Sequence, residues 1–179
     1  VALSSCLAIK KEYNGNYMAF LNELIALMTL ARKCSTPVPL RINVKKNIIY
    51  MSYIQGSTLR EIIAKEGAKI LDRDNLIKEK RCNLIMNKAW LSRVIEGRKH
   101  VCQVVNSDTI KAIYNAAEEV HKHGICLYDV KYGNIIIEQG SGRPYFIDFE
   151  NCIVLRRKKS LMGACMRKYD FMLLDIHFN

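Results

Sequence analysis

The run from His121 to Glu150 constrains this chain more than any other stretch. It reads His-Lys-His-Gly-Ile-Cys-Leu-Tyr-Asp129-Val-Lys131-Tyr-Gly-Asn134, then Ile-Ile-Ile-Glu-Gln-Gly-Ser-Gly, then Arg143-Pro-Tyr-Phe-Ile-Asp148-Phe-Glu150. Residues 134–138 and 144–149 read as the two strands of a hairpin around Gln-Gly-Ser-Gly. That hairpin sets Asn134 at the start of one strand and Asp148 at the exit of its partner. Both side-chain oxygens can then reach one hard divalent cation. Asp129 and Lys131 lie in the loop just before. A carboxylate to orient a hydroxyl, a cation near a phosphoryl group and two oxygen ligands for a metal are the groups phosphoryl transfer requires. The competing reading of Asp129 and Asn134 is a pair of loop formers, since both residue types favour turns.

The segment resembles the catalytic loop and metal-binding Asp of protein-kinase-like enzymes, whose pattern is H-R-D-L-x-x-x-N followed by D-F-G. Here it stands as Leu127-Tyr128-Asp129-Val-Lys131-Tyr-Gly-Asn134, then Asp148-Phe-Glu150. The resemblance implies that Asp129 orients an acceptor hydroxyl and that Lys131 neutralises the γ-phosphoryl. It implies that Asn134 and Asp148 hold Mg²⁺, and that ATP and Mg²⁺ are the cofactors. The chain departs from the pattern in three places. Leu127-Tyr128 replaces His-Arg, so activity should not need activation-loop phosphorylation. Glu150 replaces Gly, which stiffens the metal loop or adds a carboxylate near the metal. No Gly-rich loop precedes the first strand. The missing initiator Met suggests a chain that continues upstream; the alternatives are an incomplete lid or an inactive, nucleotide-binding interaction module.

The N-terminal part supplies the other expectations. Residues 3–11 contain a short apolar strand ending in two lysines, and Leu7-Ala-Ile-Lys10 is similar to the V-A-I-K strand whose Lys holds nucleotide phosphates in that family. Lys11 is the rival, because adjacent strand residues face opposite sides. Asn14-Gly-Asn16 reads as a turn. A helix over 17–33 follows, with Phe20, Leu24, Leu27 and Ala31 along one face. Glu23 falls on or beside that face, where a buried carboxylate needs a cation. The resemblance supplies Lys10 as its partner and the pair as the grip on the α/β-phosphates; the alternative is a carboxylate reaching water at the edge of the stripe. After Pro37 and Pro39, residues 40–44 and 47–53 read as two strands joined by Lys-Lys-Asn. Met51, Ser52, Tyr53 and Ile54, with Gly56 after them, resemble the kinase hinge, which offers backbone groups to adenine.

Thr58-Leu-Arg-Glu61 is a capping box opening a helix to about Lys65. Ser107 and Asp108 are expected to cap a helix with Ile110, Ile113, Ala117 and Val120 at helical spacing, stopped by Gly124. His121 and His123 stand two apart, so on a helix they face different ways; capping the helix end is favoured over metal binding. A last helix over 161–176 carries Asp170, which the resemblance sets against the backbone of the catalytic loop. The insertion at 66–106 is long and basic, and the acceptor or partner contact is expected there. In it, Asp72 or Asp74 is expected to cap a helix running toward Ile95.

The resemblance therefore implies an α+β, two-lobed, protein-kinase-like fold. A small N-terminal lobe over 1–54 would lack the Gly-rich loop, and a mainly helical lobe would occupy 55–179. The short C-terminal part looks most like compact atypical bacterial types: RIO-type kinases, lipopolysaccharide-core sugar kinases and minimal effector kinases. The implied acceptor is a hydroxyl of a protein Ser or Thr, or of an anionic glycan.

Composition bears on partners and compartment. The formal charge of +11 on 179 residues is concentrated around Lys78, Lys80 and Arg81, around Arg98 and Lys99, and at Arg156, Arg157, Lys158 and Lys159. Such clusters are a solvated surface or a field for an anionic partner: ATP, an acidic lipid or glycan, or nucleic acid. No aromatic residues interleave with them, which argues against nucleic acid. The seven cysteines are widely spaced with no C-x-x-C, which points to a reducing compartment. No apolar run approaches the ~18 residues of a spanning helix. A cytoplasmic protein is expected, with the inner membrane face as an anionic surface it can meet. Val1 to Cys6 faintly matches a lipoprotein cleavage site but lacks the charged and apolar regions of a secretory signal.

Overall fold

The apolar run Ile48-Ile-Tyr-Met-Ser52 forms a central strand between two others. The computed structural model describes residues 8–65, 101–155 and 160–178. Strand β1 (Ala8–Glu12) and strand β2 (Pro39–Asn43) both pair antiparallel with β3 (Ile48–Ser52), in the order β1-β3-β2. Between β1 and β2 runs helix α1 (Tyr17–Leu30), entered through Asn14 and Gly15 at positive φ. Asn16 is its N-cap, accepting from Ala19 N at 3.1 Å. The helix stops three residues before the expected Lys33, because the amides of Lys33 and Cys34 both fold back onto the Leu30 carbonyl. The β2–β3 connection contains a turn of 3₁₀ helix, Val44–Lys46, closed by Asn47 in the left-handed region.

A second sheet is built from β4 (Gly56–Thr58), β6 (Ile135–Glu138) and β7 (Pro144–Phe146), in the order β4-β6-β7. The hairpin read from the sequence is this β6–β7 pair. The β4 backbone lies so close to β6 that a Cβ on Gly56 would sit 2.1 Å from the Ile137 carbonyl oxygen. Gly56→Ala should therefore lower stability by about 1–3 kcal/mol, read from the denaturant midpoint; an unchanged midpoint would mean that β4 does not pair there.

Helix α2 (Leu59–Lys65) starts at the expected capping box. Thr58 N donates to Glu61 Oε2 at 2.7 Å, and Glu61 N donates to Thr58 Oγ1 at 3.2 Å. Helix α3 (Ser107–Lys122) buries Ile113, Ala117 and Val120. Its cap is Asn106, one residue ahead of the expected Ser107-Asp108, with Oδ1 accepting from Thr109 N at 2.8 Å. A short ribbon of β5 (Ile125–Cys126) and β8 (Ile153–Val154) follows, and α4 (Leu161–Phe178) closes the described chain. One cluster of buried side chains runs from Phe20, Leu27 and Ile49 through Ile113 and Phe149 to Leu174. The fold is mixed α+β. No described helix is long and apolar enough to cross a membrane.

Two cysteines belong to that core. Burial pushes the Cys126 thiol up to about 11 and the Cys152 thiol up to about 12. Alkylation at about pH 8, followed by peptide mass spectrometry, should modify the exposed Cys102 and Cys165 and spare Cys126 and Cys152, since the thiolate is the nucleophile. Rapid labelling of Cys126 would contradict a buried β5. The helix expected within the 66–106 insertion lies wholly outside the described residues. The residues at 1–7 and the basic clusters at 78–81, 98–100 and 156–159 also lie outside them.

Candidate active site

Lys10 and Lys11 both line the cleft, and strand alternation decides which of them meets Glu23. Lys10 faces away from Glu23 and pairs with Glu12 at the surface. Lys11, one residue on, turns toward the α1 side. Its Nζ donates to Glu23 Oε2 at 2.6 Å and Asp148 Oδ1 at 2.9 Å, and lies 3.0 Å from Glu150 Oε1. The expected pairing of Lys10 with Glu23 is thereby corrected to Lys11. The pattern Leu-Ala-Ile-Lys fits Lys10 only by spelling, and the pleat of β1 overrules it.

Glu23 is 1% exposed. Burial pushes its carboxyl up, and the Lys11 charge offsets part of that rise. Burial disfavours the Lys11 ammonium, but Glu23 and Asp148 outweigh it and hold the amine above its ordinary range. Lys11 also lies 5.4 Å from the centroid of the Tyr13 ring. Burial and then the Glu23 charge push the Tyr13 phenol upward. Lys11 thus sits among three carboxylates, all of whose oxygens at the centre fall within 4.8 Å of one another. Glu150 was legible only as the residue in place of Gly; its contact with Lys11 follows from the turn after β7.

The loop residues Asp129, Lys131 and Asn134 form a second knot. Lys131 Nζ donates to Asp129 Oδ2 at 2.7 Å. Asn134 Nδ2 donates to the Asp129 carbonyl at 3.0 Å and to Oδ2 at 3.3 Å. With its amide nitrogen spent, Asn134 has its side-chain oxygen without a partner among the described residues. Asn134 and Asp148 both line a cleft of about 350 Å³ together with Lys11, Glu23, Met51 and Ile54. One uncharged and one anionic oxygen donor facing one space fit a hard divalent ion. Asp148 adopts φ 65°, a left-handed conformation that few residues besides Gly, Asn and Asp tolerate.

Over residues 51–54, Met51 and Ile54 are buried and Tyr53 is exposed. Ser52 N donates to the Val38 carbonyl at 2.9 Å, and Ser52 Oγ accepts from Val38 N at 2.9 Å. The Ser52 side chain and amide are therefore used to anchor the 31–38 loop. The main-chain groups of Tyr53 and Ile54 have no hydrogen-bond partner among the described residues, which fits an edge able to pair with a heterocycle.

Below the loop, Asp170 of α4 is fully buried. Its Oδ2 accepts from Leu127 N and its Oδ1 from Tyr128 N, both at 2.7 Å. Those two bonds hold Tyr128 at φ 60°, immediately before Asp129. His121 does not cap its helix with its side chain. It lies buried with Nε2 2.8 Å from Asp170 Oδ2. His121, Cys126 and Asp170 could be drawn as a metal triad, but the Asp170 carboxylate is already committed to two amides and the imidazole. The cluster is a brace for the loop. His121 was missed because its helix-end position suggested a cap; the signal was a histidine on the buried stripe of α3.

Comparison of the sequence with protein-family models and with curated proteins gives no match.

Proposed function

We propose that this chain is an ATP- and Mg²⁺-dependent phosphotransferase with a two-lobed, protein-kinase-like fold, acting on a hydroxyl of a protein or an anionic glycan in the cytoplasm. The observation that carries the reading is the meeting of Lys11 with Glu23 and Asp148, the last 137 residues away in sequence, beside Asn134 in one cleft. A lysine, a buried carboxylate and a metal-type carboxylate from three separate elements are costly to bring together without a use for the charge.

Asn134 and Asp148 would hold the metal, and Lys11, steadied by Glu23, would face the phosphates. Met51 and Ile54 would pack against the base. Mg-ATP supplies the transferable phosphoryl group and offsets its charge. Asp129 uses Oδ2 for Lys131 and Asn134, leaving Oδ1 to take a hydrogen bond from the acceptor hydroxyl and receive its proton. Lys131 stands beside that oxygen as the cation for the transferring group.

Thermal unfolding with ATP, with and without Mg²⁺, tests the reading. Ligand at a hundred times its Kd should stabilise by about 2.7 kcal/mol, only with Mg²⁺, and Asp148→Ala should abolish the effect. Stabilisation indifferent to both would favour an inactive nucleotide-binding module.

A further inference from the structure

At the end of β3, adjoining that cleft, a groove of about 330 Å³ is walled by the 31–38 loop, residues 52–54 and the β6–β7 hairpin. Backbone bonds fix the walls together: Phe146 N donates to the Ser35 carbonyl at 3.1 Å, and Ser52 N to the Val38 carbonyl at 2.9 Å. Three cations line it, Arg32, Lys33 and Arg143. All are exposed, and none forms an ion pair among the described residues. The negative end of α1 accounts for cations just after its C-terminus, but not for Arg143, which comes from the hairpin. The Leu30 carbonyl, which would repel an anion, is covered by the amides of Lys33 and Cys34.

Counter-charge inside the groove is small. Glu138 lines it, and its Oε2 accepts from Ser141 Oγ at 2.6 Å. Glu119, in the adjoining hollow, pairs with Lys122. A further observation is independent of charge. Thr36 also lines the groove, is 3% exposed, and its hydroxyl has no hydrogen-bond partner among the described residues. A buried hydroxyl left in that state is destabilising unless a ligand or water completes it.

We propose that this groove is a second site, which binds a phosphate monoester group through Arg32, Lys33 and Arg143. Two guanidinium forks match the oxygens of a tetrahedral dianion, and the ammonium supplies a point charge. The space suits a single phosphorylated group rather than a polymer strand. Ser52 and Ile54 line both this groove and the cleft, so an anion here touches the segment proposed to carry the adenine edge. The proposal concerns binding alone and stands whether or not the cleft transfers phosphate.

Calorimetric titration in about 0.15 M chloride, where surface charge is screened, tests it with three probes: inorganic phosphate, O-phosphoserine and a short phosphoserine peptide. Saturable binding is expected, weakened at least about tenfold in Arg32→Gln/Arg143→Gln and equal to wild type in Lys131→Ala. Arg143→Gln alone, which touches no backbone at positive φ, should show an intermediate loss. A peptide that binds about tenfold more tightly than the free monoester would identify a protein-borne phosphate as the source. Equal affinities would identify a free metabolite. Both outcomes support the site. Absence of saturation, an isotherm unchanged in the double variant, or a loss that follows Lys131→Ala instead would overturn it.

Discussion

Lys11→Met should destabilise the fold by about 3–5 kcal/mol at neutral pH, the cost of leaving a buried charge without its partner, whereas Lys10→Met should leave stability unchanged. The asymmetry follows from the pleat. Lys10 meets Glu12 in solvent, while Lys11 is the cation beside Glu23, which is 1% exposed. Asp148 and Glu150 lose the same partner, but both are about a third exposed, and water replaces most of what they lose. The cost falls on Glu23.

Two controls separate this account from a packing defect. In Lys11→Met the Glu23 carboxyl is pushed up further by burial, so acid should relieve the loss. Its folded-state value lies above the ordinary 4.5 even beside Lys11, and the penalty is present above the folded value and fades as pH falls through it. In the wild type the sign is opposite at the alkaline end. The Lys11 amine is raised above 10.5, so its contribution is complete below that pH and is lost as pH climbs through the folded value. Second, Lys11→Met/Glu23→Leu should recover most of the stability, because an apolar pair of similar volume often matches a buried ion pair. Non-additivity of a few kcal/mol in the double-mutant cycle would be the signature. Equal losses for Lys10→Met and Lys11→Met would show the register of β1 to be wrong.

The sequence was most informative where one local rule sufficed. The β6–β7 hairpin follows from Gln-Gly-Ser-Gly between β-branched runs, and α2 from its capping box, because each depends on residues within a few positions. Asp129, Lys131 and Asn134 are close in the chain, so their meeting could be read from spacing. Lys11 could not. Choosing between adjacent lysines depends on which face of β1 packs on α1, and that is fixed by the pairing of Lys11 with Ile49 rather than by any motif. The His121–Asp170 contact is likewise set by the packing of α3 on α4, 49 residues apart. The cap at Asn106 was missed for a smaller reason: Asn, Ser and Asp in succession are all good caps, and only the backbone says which one turns out of the helix.

The two loop carboxylates should fail in different ways when neutralised. Asp129→Asn should lower turnover by about 10²–10⁴, the usual contribution of a positioned general base, while nucleotide affinity stays near wild type. The reason is geometric. Asp129 bonds Lys131 and Asn134 and does not line the cleft with Lys11, Glu23 and Asp148. Its free oxygen faces the acceptor in the proposed mechanism. Lys131→Ala should resemble it, because its charge acts as the phosphoryl group is transferred and not on the nucleotide at rest. Asp148→Asn should weaken Mg²⁺-dependent nucleotide binding as well as turnover, since it removes the only charged member of the proposed metal pair with Asn134. The same substitution frees Lys11 from one of its carboxylates, so metal-free ATP should bind no worse than to wild type. Nucleotide affinity with and without Mg²⁺, together with turnover on one acceptor, distinguishes the three variants. If Asp129→Asn abolished nucleotide binding while Asp148→Asn left its metal dependence intact, the division of labour between the two carboxylates would be reversed.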